Sequence, residues 1–282
     1  MLHLPPVYGT ICGLEKGDIP KMAEKNCTHD CASCGKSCAE RKEKFDFSAK
    51  LNAASRVGKS FVTSMLAVAA SRIGLNTGIL DADITGPSIP SSFGLSGGTV
   101  QSKDGIEPVV SNGGIRVMSL NMLVDDPSDP VVWRGPVIAG AVKQFWTDVH
   151  WGDLDIMFVD MPPGTGDVPL TVFQSLPVDG VVIVSSPQKL VEMIVGKSVK
   201  MAQMMEKKVI GLVENMSYFI CPGCSARHSI FGESQADSLA ARFSIPNVLR
   251  LPIDPGFSKA IDAGAAESLT LPDIEAFVKK LA

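Results

Sequence analysis

Six short runs rich in valine, isoleucine and leucine alternate with longer helical stretches, and this alternation limits the fold more than any other feature. The runs have few polar positions, which is typical of strands that are buried on both faces of a parallel sheet. They are Thr77–Asp81, Ile115–Leu120, Asp155–Asp160, Gly180–Ser185, Lys208–Val213 and Asn247–Leu251. A repeated order of strand and then helix predicts an α/β fold with a doubly wound, mainly parallel sheet.

The stretches between these runs have helical periodicity. Ser60–Ile73 places its apolar side chains on one stripe and is followed by Gly74, which predicts an amphipathic helix that ends there. Pro136–Val149 and Leu190–Glu206 are predicted to be helices of the same kind. The sequence contains no internal repeat.

The composition excludes several classes of protein. Of the 282 residues, 45% are hydrophobic and 20% are charged, which is enough apolar material for a large core. The net charge of −4 argues against a protein that coats nucleic acid, because such proteins carry a surplus of basic residues. No apolar run approaches the ~20 residues that cross a bilayer, and the N-terminus lacks the pattern of an export signal. We therefore expect no nucleic acid partner, no membrane association and a cytoplasmic location.

The seven cysteines are concentrated at two places. Five lie in the first 38 residues, and the other two form Cys221-Pro-Gly-Cys224. Tight clusters in a chain without an export signal indicate metal or redox chemistry rather than structural disulfides. Residues 1–46 are predicted to be a polar cysteine-rich tail, and residues 47–282 a folded domain. Residues 1–21 are expected to be disordered or absent from the native product, with translation starting at Met22.

Three polar motifs follow one another in the order of a phosphate site. Gly58-Lys59-Ser60 opens the first predicted helix, where the lysine reaches phosphates and the hydroxyl binds Mg²⁺ in a phosphate-binding loop. Asp81 and Asp83 follow one buried strand, and Asp160 ends another. Carboxylates at the carboxyl ends of such strands lie where ligands bind and suit Mg²⁺. Each aspartate alone is more often a helix cap or turn residue, but the ordered set favours a nucleotide site.

Longer motifs resemble the Mrp/ApbC family of iron–sulfur cluster carrier ATPases, which are relatives of the nitrogenase iron protein and the MinD division ATPases. The likeness extends over about residues 58 to 282 and includes the cysteine tail. It rests on the stretches 81–90, 132–136, 159–167, 186–188 and 213–219, and on the later segments 221–224 and 228–232.

The resemblance implies a role for each matching residue. Lys59, Asp83 and Asp160 would be catalytic, with Asp83 positioning the attacking water. ATP and Mg²⁺ would be bound by Gly58, Lys59, Ser60, Asp81 and Asn215, with Ser60 as a Mg²⁺ ligand and Asn215 reading the adenine edge. Cys221 and Cys224, with the same pair from a second subunit, would hold a [4Fe–4S] cluster across a homodimer interface. The family passes such clusters to apo-proteins.

Both cysteine sites also have other interpretations. Two thiolates cannot complete a four-iron cluster alone, so Cys221 and Cys224 need a second pair, or else they form half of a zinc knuckle or a redox pair. The tail cysteines are spaced nearly as in a ferredoxin and can hold one iron–sulfur cluster. Zinc is the alternative metal for this site. Its members are Cys27, Cys31, Cys34 and Cys38.

The chain departs from the family at the phosphate loop. The family loop is glycine-lysine-glycine-glycine-valine-glycine-lysine-serine after a buried strand, whereas here Ala53-Ala54-Ser55-Arg56 stand in its first half. An internal deletion of about a strand plus half a loop is the more economical explanation, and point-by-point degeneration of the loop is the alternative. Two hypotheses follow. One is an ATP-dependent carrier of iron–sulfur clusters, and the other is a non-hydrolysing scaffold that binds clusters or zinc.

Overall fold

The computed structural model describes residues 8–10, 51–53, 58–83, 88–96, 99–102, 105–119, 122, 135–162, 166–188 and 190–281. In chain order the strands are β1 (Tyr8–Thr10), β2 (Leu51–Ala53), β3 (Thr77–Asp81), β4 (Val100–Ser102), β5 (Gly105–Glu107), β6 (Val109–Val110), β7 (Arg116–Ser119), β8 (Ile156–Asp160), β9 (Val181–Ser185), β10 (Val209–Ile220), β11 (Arg227–His228) and β12 (Val248–Ile253). The helices are α1 (Lys59–Arg72), α2 (Ser88–Ser92), α3 (Gly135–Asp148), α4 (Asp167–Ser175), α5 (Leu190–Met204), α6 (Ala236–Phe243), α7 (Pro255–Asp262) and α8 (Pro272–Leu281).

The main strands are parallel, which confirms the α/β fold class. One ladder has the order β6-β7-β3-β8, with β3 parallel to both β7 and β8. The other joins β9, β10 and β12 in parallel, with β11 antiparallel at its edge. Every residue of β3, β8 and β9 is buried, as their uninterrupted apolar sequences predict.

The two ladders do not join into one sheet within the described residues. There β8 pairs with β3 alone and β9 pairs with β10 alone, so one edge of each strand has no ladder partner. The short strands β1 and β2 contact both β8 and β9, yet they pair only with each other. Among the described residues, the sheet implied by a doubly wound fold is therefore divided between β8 and β9, and the strand described before α1 is β2, which has three residues.

The first helix differs from its predicted amphipathic form. It begins at Lys59, and its residues 62–70 are all buried. Helices α2 and α8 and strands β3 and β8 all contact it, so apolar and small residues are accommodated around its whole circumference. The prediction that one stripe of apolar side chains, from Phe61 to Ile73, forms the buried face of this helix is therefore wrong. Phe61 and Ile73 are only half-buried.

The predicted strand Lys208–Val213 continues much further than its apolar run. As β10 it reaches Ile220, and its register with β12 shifts between Glu214 and Tyr218. Met216 lies inside this irregular stretch with φ of 54°, a left-handed conformation that is uncommon away from glycine. The extension brings the strand to the Cys221-Pro-Gly-Cys224 segment.

Among the described residues, no helix is both long enough and apolar enough to cross a membrane. The four tail cysteines Cys27, Cys31, Cys34 and Cys38 lie outside the described residues, and so does most of the 1–21 segment apart from β1. The predictions made for the tail therefore stay predictions.

The largest effect on stability is expected in the core between the helices and β8. Phe158 is completely buried in the middle of that strand. Phe158→Ala should lower the free energy of unfolding by ~3–5 kcal/mol, because it leaves a cavity that the surrounding side chains and the paired strand can fill only in part. Urea titration measures the loss, and Val137→Ala, at a side chain that is 55% exposed, is the matched control with little effect.

Candidate functional site

The predicted site residues meet where β3 and β8 end and α1 begins. Asp81 and Asp160 are paired residues in the parallel register of these strands, so their carboxyl groups leave the sheet side by side. The backbone N–H of Ala82 donates to the carbonyl oxygen of Asp160 at 2.8 Å and extends the pairing beyond the strands. Asp81 and Asp160 are the last residues of their strands, so neither of these two is a helix cap.

Gly58 makes the turn into the helix. Its φ and ψ of 74° and 45° are left-handed, a conformation that glycine adopts without steric penalty. A Cβ at this position would lie 3.0 Å from Nδ2 of Asn215, so the loop and the buried Asn215 are in close contact. Asn215 Oδ1 accepts a hydrogen bond from the N–H of Met216 at 2.9 Å, which fixes the orientation of the amide. Gly58 and Asn215, both predicted site residues, are therefore adjacent in the structure although they are 157 positions apart in the sequence.

Lys59 forms a buried ion pair with Asp83. The Nζ to Oδ2 distance is 3.2 Å, and both side chains are only 8% exposed. A buried cation without a partner is strongly unfavourable, so the ion pair with Asp83 offsets part of the cost of burying the Lys59 side chain. The lysine stands at the N-terminus of α1, where an anion would compete with Asp83 for it.

Asp160 is held by two hydroxyl groups of the same helix. Ser60 Oγ donates to Oδ2 at 2.5 Å, and Thr63 Oγ1 donates to Oδ1 at 3.1 Å. Burial raises the pKa of Asp160 to about 7, although the nearby Lys59 acts in the opposite direction. Thr63 was missed by sequence reasoning, yet its position three residues after Ser60 puts it on the same face of the helix.

Asp81 has a different set of donors. Ser119 Oγ donates to its Oδ2 at 2.8 Å, and the N–H of Asp83 donates to its Oδ1 at 3.0 Å. Burial, followed by the negative charges of Asp160 and Asp83, raises the pKa of Asp81 well above its usual range. Ser119 was also missed; the only signal for it is that it ends β7, the strand beside β3.

These raised pKa values predict how stability depends on pH. The folded state retains protons on Asp160 and Asp81 that the unfolded chain releases near pH 4, so the free energy of unfolding should fall as pH rises towards 7. The slope is at most ~1.4 kcal/mol per pH unit for each proton retained. Asp160→Asn should flatten this dependence in urea titrations between pH 5 and pH 7.5, roughly the span over which Asp160 loses its proton. The exposed Asp153→Asn is the control, and an unchanged slope in Asp160→Asn would contradict the assignment.

The second cluster of site residues lies on a hairpin. Strands β10 and β11 pair antiparallel, and the turn between them carries the segment 221–224, here called the CPGC loop. Hydrogen bonds from the backbone N–H groups of Gly223 and Cys224, and one from the Cys224 thiol, lower the pKa of Cys221. Cys224 is exposed and Cys221 half-buried, so both sulfur atoms are at the protein surface.

Three large apolar side chains that flank the hairpin in sequence are exposed. Ile220 is 50% exposed, Ile230 58% and Phe231 42%. The guanidinium of Arg227, the cross-strand partner of Ile220, lies 3.6 Å from the ring centroid of Tyr218. Exposed apolar side chains of this size are typical of a contact surface.

The described part of the chain has no place where three or more histidine, cysteine, aspartate or glutamate side chains converge to hold a metal ion. The CPGC loop therefore offers two ligands, and a tetrahedral or cluster site there needs further ligands from elsewhere. At the other site, Ser60 with one or two carboxylates suits Mg²⁺, which usually keeps several waters and phosphate oxygens in its shell.

Comparison with known sequences gives a consistent family. The ParA family profile, described as NUBPL iron-transfer P-loop NTPase, matches residues 52–281. An iron–sulfur cluster carrier protein of Methanocaldococcus jannaschii is 43% identical over 74% of this chain and 72% of that protein. The cytosolic Fe-S cluster assembly factor CFD1 of Eremothecium gossypii is 43% identical over 73% of this chain and 77% of its own length.

Solved structures agree with these sequence matches. A nucleotide-binding protein from Archaeoglobus fulgidus, in complex with ADP and with cobalt, superposes with a TM-score of 0.70 at 43% identity and covers 78% of this chain and 87% of its own. MinD of Pyrococcus horikoshii with Mg-ADP covers 79% of this chain and 89% of its own with a TM-score of 0.52, and at 17% identity it supports the fold alone.

Proposed function

Because this chain belongs to the ParA family of NUBPL-type iron-transfer P-loop NTPases, we propose that it binds a [4Fe–4S] cluster between two copies of itself and passes the cluster to apo-proteins under the control of Mg-ATP. The observation that carries the proposal is the CPGC loop. It presents two thiols at the surface, with backbone donors that favour the thiolate form on Cys221. Thiolates are the ligands that iron–sulfur clusters require.

The homodimer follows from the number of ligands. Four thiolates complete a four-iron cluster, and a two-fold axis through the cluster brings the second pair from an identical hairpin. The exposed Ile220, Ile230 and Phe231 beside the loop supply the apolar contact that such an interface needs. A cluster held by surface thiols at an interface is also accessible to the thiols of an apo-protein, as transfer requires.

The nucleotide half of the proposal rests on the residues around α1. Lys59 would exchange Asp83 for phosphate oxygens, and the Asp83 carboxylate would orient the attacking water. Ser60 and Asp160 would hold Mg²⁺, directly or through its waters, with Asp81 next to them, and Asn215 would contact the base beside Gly58. When bound, Mg²⁺ supplies charge neutralisation for the transferred phosphoryl group.

The division of the main sheet favours a second candidate, which is a scaffold that binds clusters without hydrolysing ATP. Ala53, Ala54, Ser55 and Arg56 replace the glycines and lysine of a complete loop, so fewer backbone N–H groups can converge on phosphates. Both candidates require the cluster, and only the first requires turnover of Mg-ATP. A cytoplasmic location suits either candidate and is part of the proposal.

Anaerobic reconstitution with iron and sulfide tests whether the protein binds a cluster, which both candidate functions require. A variant with serine at the four tail cysteines isolates the CPGC loop, and it should turn brown and bind about four irons and four sulfides per two chains. Iron analysis, sulfide analysis and absorption spectra measure the product. A colourless protein that instead binds stoichiometric zinc at Cys221 and Cys224 would contradict the proposal.

A further inference from the structure

Glu214 is a buried carboxylate that the two candidate sites leave without a role. It is only 1% exposed, and it immediately precedes Asn215 in β10. Burial of a carboxylate is costly unless hydrogen bonds replace the water that it loses. The donors to Glu214 therefore indicate what this side chain holds in place.

Two donors from different segments meet at the Glu214 carboxylate. Ser217 Oγ donates to Oε2 at 2.6 Å, and the backbone N–H of Gln235 donates to Oε1 at 3.1 Å. Gln235 immediately precedes α6, and a negative charge is favourable at the N-terminus of a helix. Glu214 thus joins the middle of β10 to the start of α6.

The segment at the start of α6 has an attachment of its own. Arg250 pairs with Glu214 in the parallel register of β10 and β12. Its guanidinium reaches the residues on either side of Gln235 in the sequence. Arg250 Nε donates to Ser234 Oγ at 2.9 Å, and Nη2 lies 2.5 Å from Oδ2 of Asp237. Glu214 is therefore anchored to a segment that is itself tied to β12.

The hydrogen bond from Ser217 spans the irregular stretch of β10. The pairing of β10 with β9 ends at Glu214, and its pairing with β12 resumes at Tyr218 after the register shift. Asn215 and Met216, with its left-handed φ, lie between these two points. The bond between Glu214 and Ser217 closes this stretch from one end to the other, which limits the backbone conformations open to Asn215.

We propose that Glu214 is a positioning residue for recognition of the nucleotide base, and that it acts through Ser217 on the carboxamide of Asn215. The Nδ2 atom of that carboxamide lies beside Gly58, where the phosphate loop turns into α1. Hydrogen bonds weaken steeply with misalignment, so a shift of the backbone at Asn215 weakens its contact with a base edge. This inference rests on the nucleotide half of the proposed function and adds the residue that sets the geometry of the contact.

The affinities of the full chain for Mg-ATP and for Mg-tripolyphosphate, measured by isothermal titration calorimetry, test this role. Tripolyphosphate carries the phosphates without the base, so the ratio of the two affinities measures what the nucleoside contributes. Ser217→Ala should lower this ratio ~3–10-fold, the range expected for the net contribution of one hydrogen bond. Glu214→Gln should leave the ratio unchanged, because the amide can accept from the Gln235 N–H and donate to the Ser217 hydroxyl.

Two further variants separate this role from a general effect on the fold. Ser198→Ala is the matched control, since it also removes a buried serine hydroxyl, one that donates to the carbonyl oxygen of Ile194 within α5. It should leave the ratio unchanged. Asn215→Ala should lower the ratio by itself, and Ser217→Ala should then have no further effect, because its influence passes through Asn215. A loss of stability alone would weaken both ligands equally.

The outcomes distinguish this inference from the proposed function. A ratio that Ser217→Ala leaves unchanged, or that it lowers equally with and without Asn215, would overturn the role of Glu214 and leave the proposed function standing. Equal affinities of the unsubstituted chain for the two ligands would contradict base recognition by Asn215. That result would overturn both this inference and the nucleotide half of the proposed function.

Discussion

Hydrolysis of Mg-ATP is expected to rise by ~10²–10³-fold when a Val/Ile strand and a complete glycine-lysine loop are inserted ahead of Gly58, since each preorganised donor to the developing charge contributes on this scale. The inserted glycines provide backbone N–H groups that converge on the phosphates. The inserted lysine supplies a charge that stabilises the transition state, as an arginine finger does in other NTPases. Release of phosphate at saturating Mg-ATP measures the gain over the chain as it stands.

The control for this experiment is Lys59→Ala in the restored chain. Lys59 is the cation at the N-terminus of α1, so its removal should return the rate to the background of the original chain. Equal rates for the original and the restored chains would mean that residues 53–56 already form a working loop. The explanation by deletion would then be wrong.

Cys224→Ser should abolish the cluster at the CPGC loop and leave the reconstituted protein monomeric. One missing thiolate per chain removes two of four ligands in the dimer, and a four-iron cluster does not survive on two. The tail cysteines are unaffected, so any cluster or zinc bound there should remain. Size-exclusion chromatography with light scattering, together with iron analysis of reconstituted samples, measures both effects.

His228→Ser provides the matched control for the cysteine variant. His228 is exposed on β11 and pairs across the hairpin with Phe219, so it tests whether a polar change near the loop is enough to break the dimer. The dimer and its cluster should survive this substitution. A dimer that survives Cys224→Ser, or a simultaneous loss of the tail metal, would contradict a bridging cluster.

The positions of Asp81 and Asp160 could be predicted from the sequence because local patterns fix them. Uninterrupted apolar runs locate β3 and β8, and Asp81 and Asp160 follow from where those runs end. Thr63 and Ser119 could not be found in the same way, since a buried hydroxyl resembles many others until the strand or helix beside it is known. Their partners are contacts between distant segments, which sequence spacing does not encode.

The burial of α1 and the length of β10 show a second limit of prediction from the sequence. Helix periodicity describes one packed face, but α1 contacts α2, β3, β8 and also α8 at the far end of the chain. Strand β10 continues past its apolar run because β12 and β11 pair with it, and those partners override the polar residues Glu214 and Asn215. Tertiary pairing decides such boundaries, and propensity does not.

One strand joins the two candidate sites, because β10 carries Asn215 and ends one residue before Cys221. The six residues from Asn215 to Cys221 span at most about 20 Å, at 3.3 Å per residue for a fully extended strand. Met216, with its left-handed φ, lies between the two ends, and beyond it Tyr218 and Phe219 pair again with β12. Phe219 and Ile220 also pair with β11. The two cysteines are therefore tied to Asn215 through a hydrogen-bonded strand, and the sheet itself fixes how far the two sites stand apart.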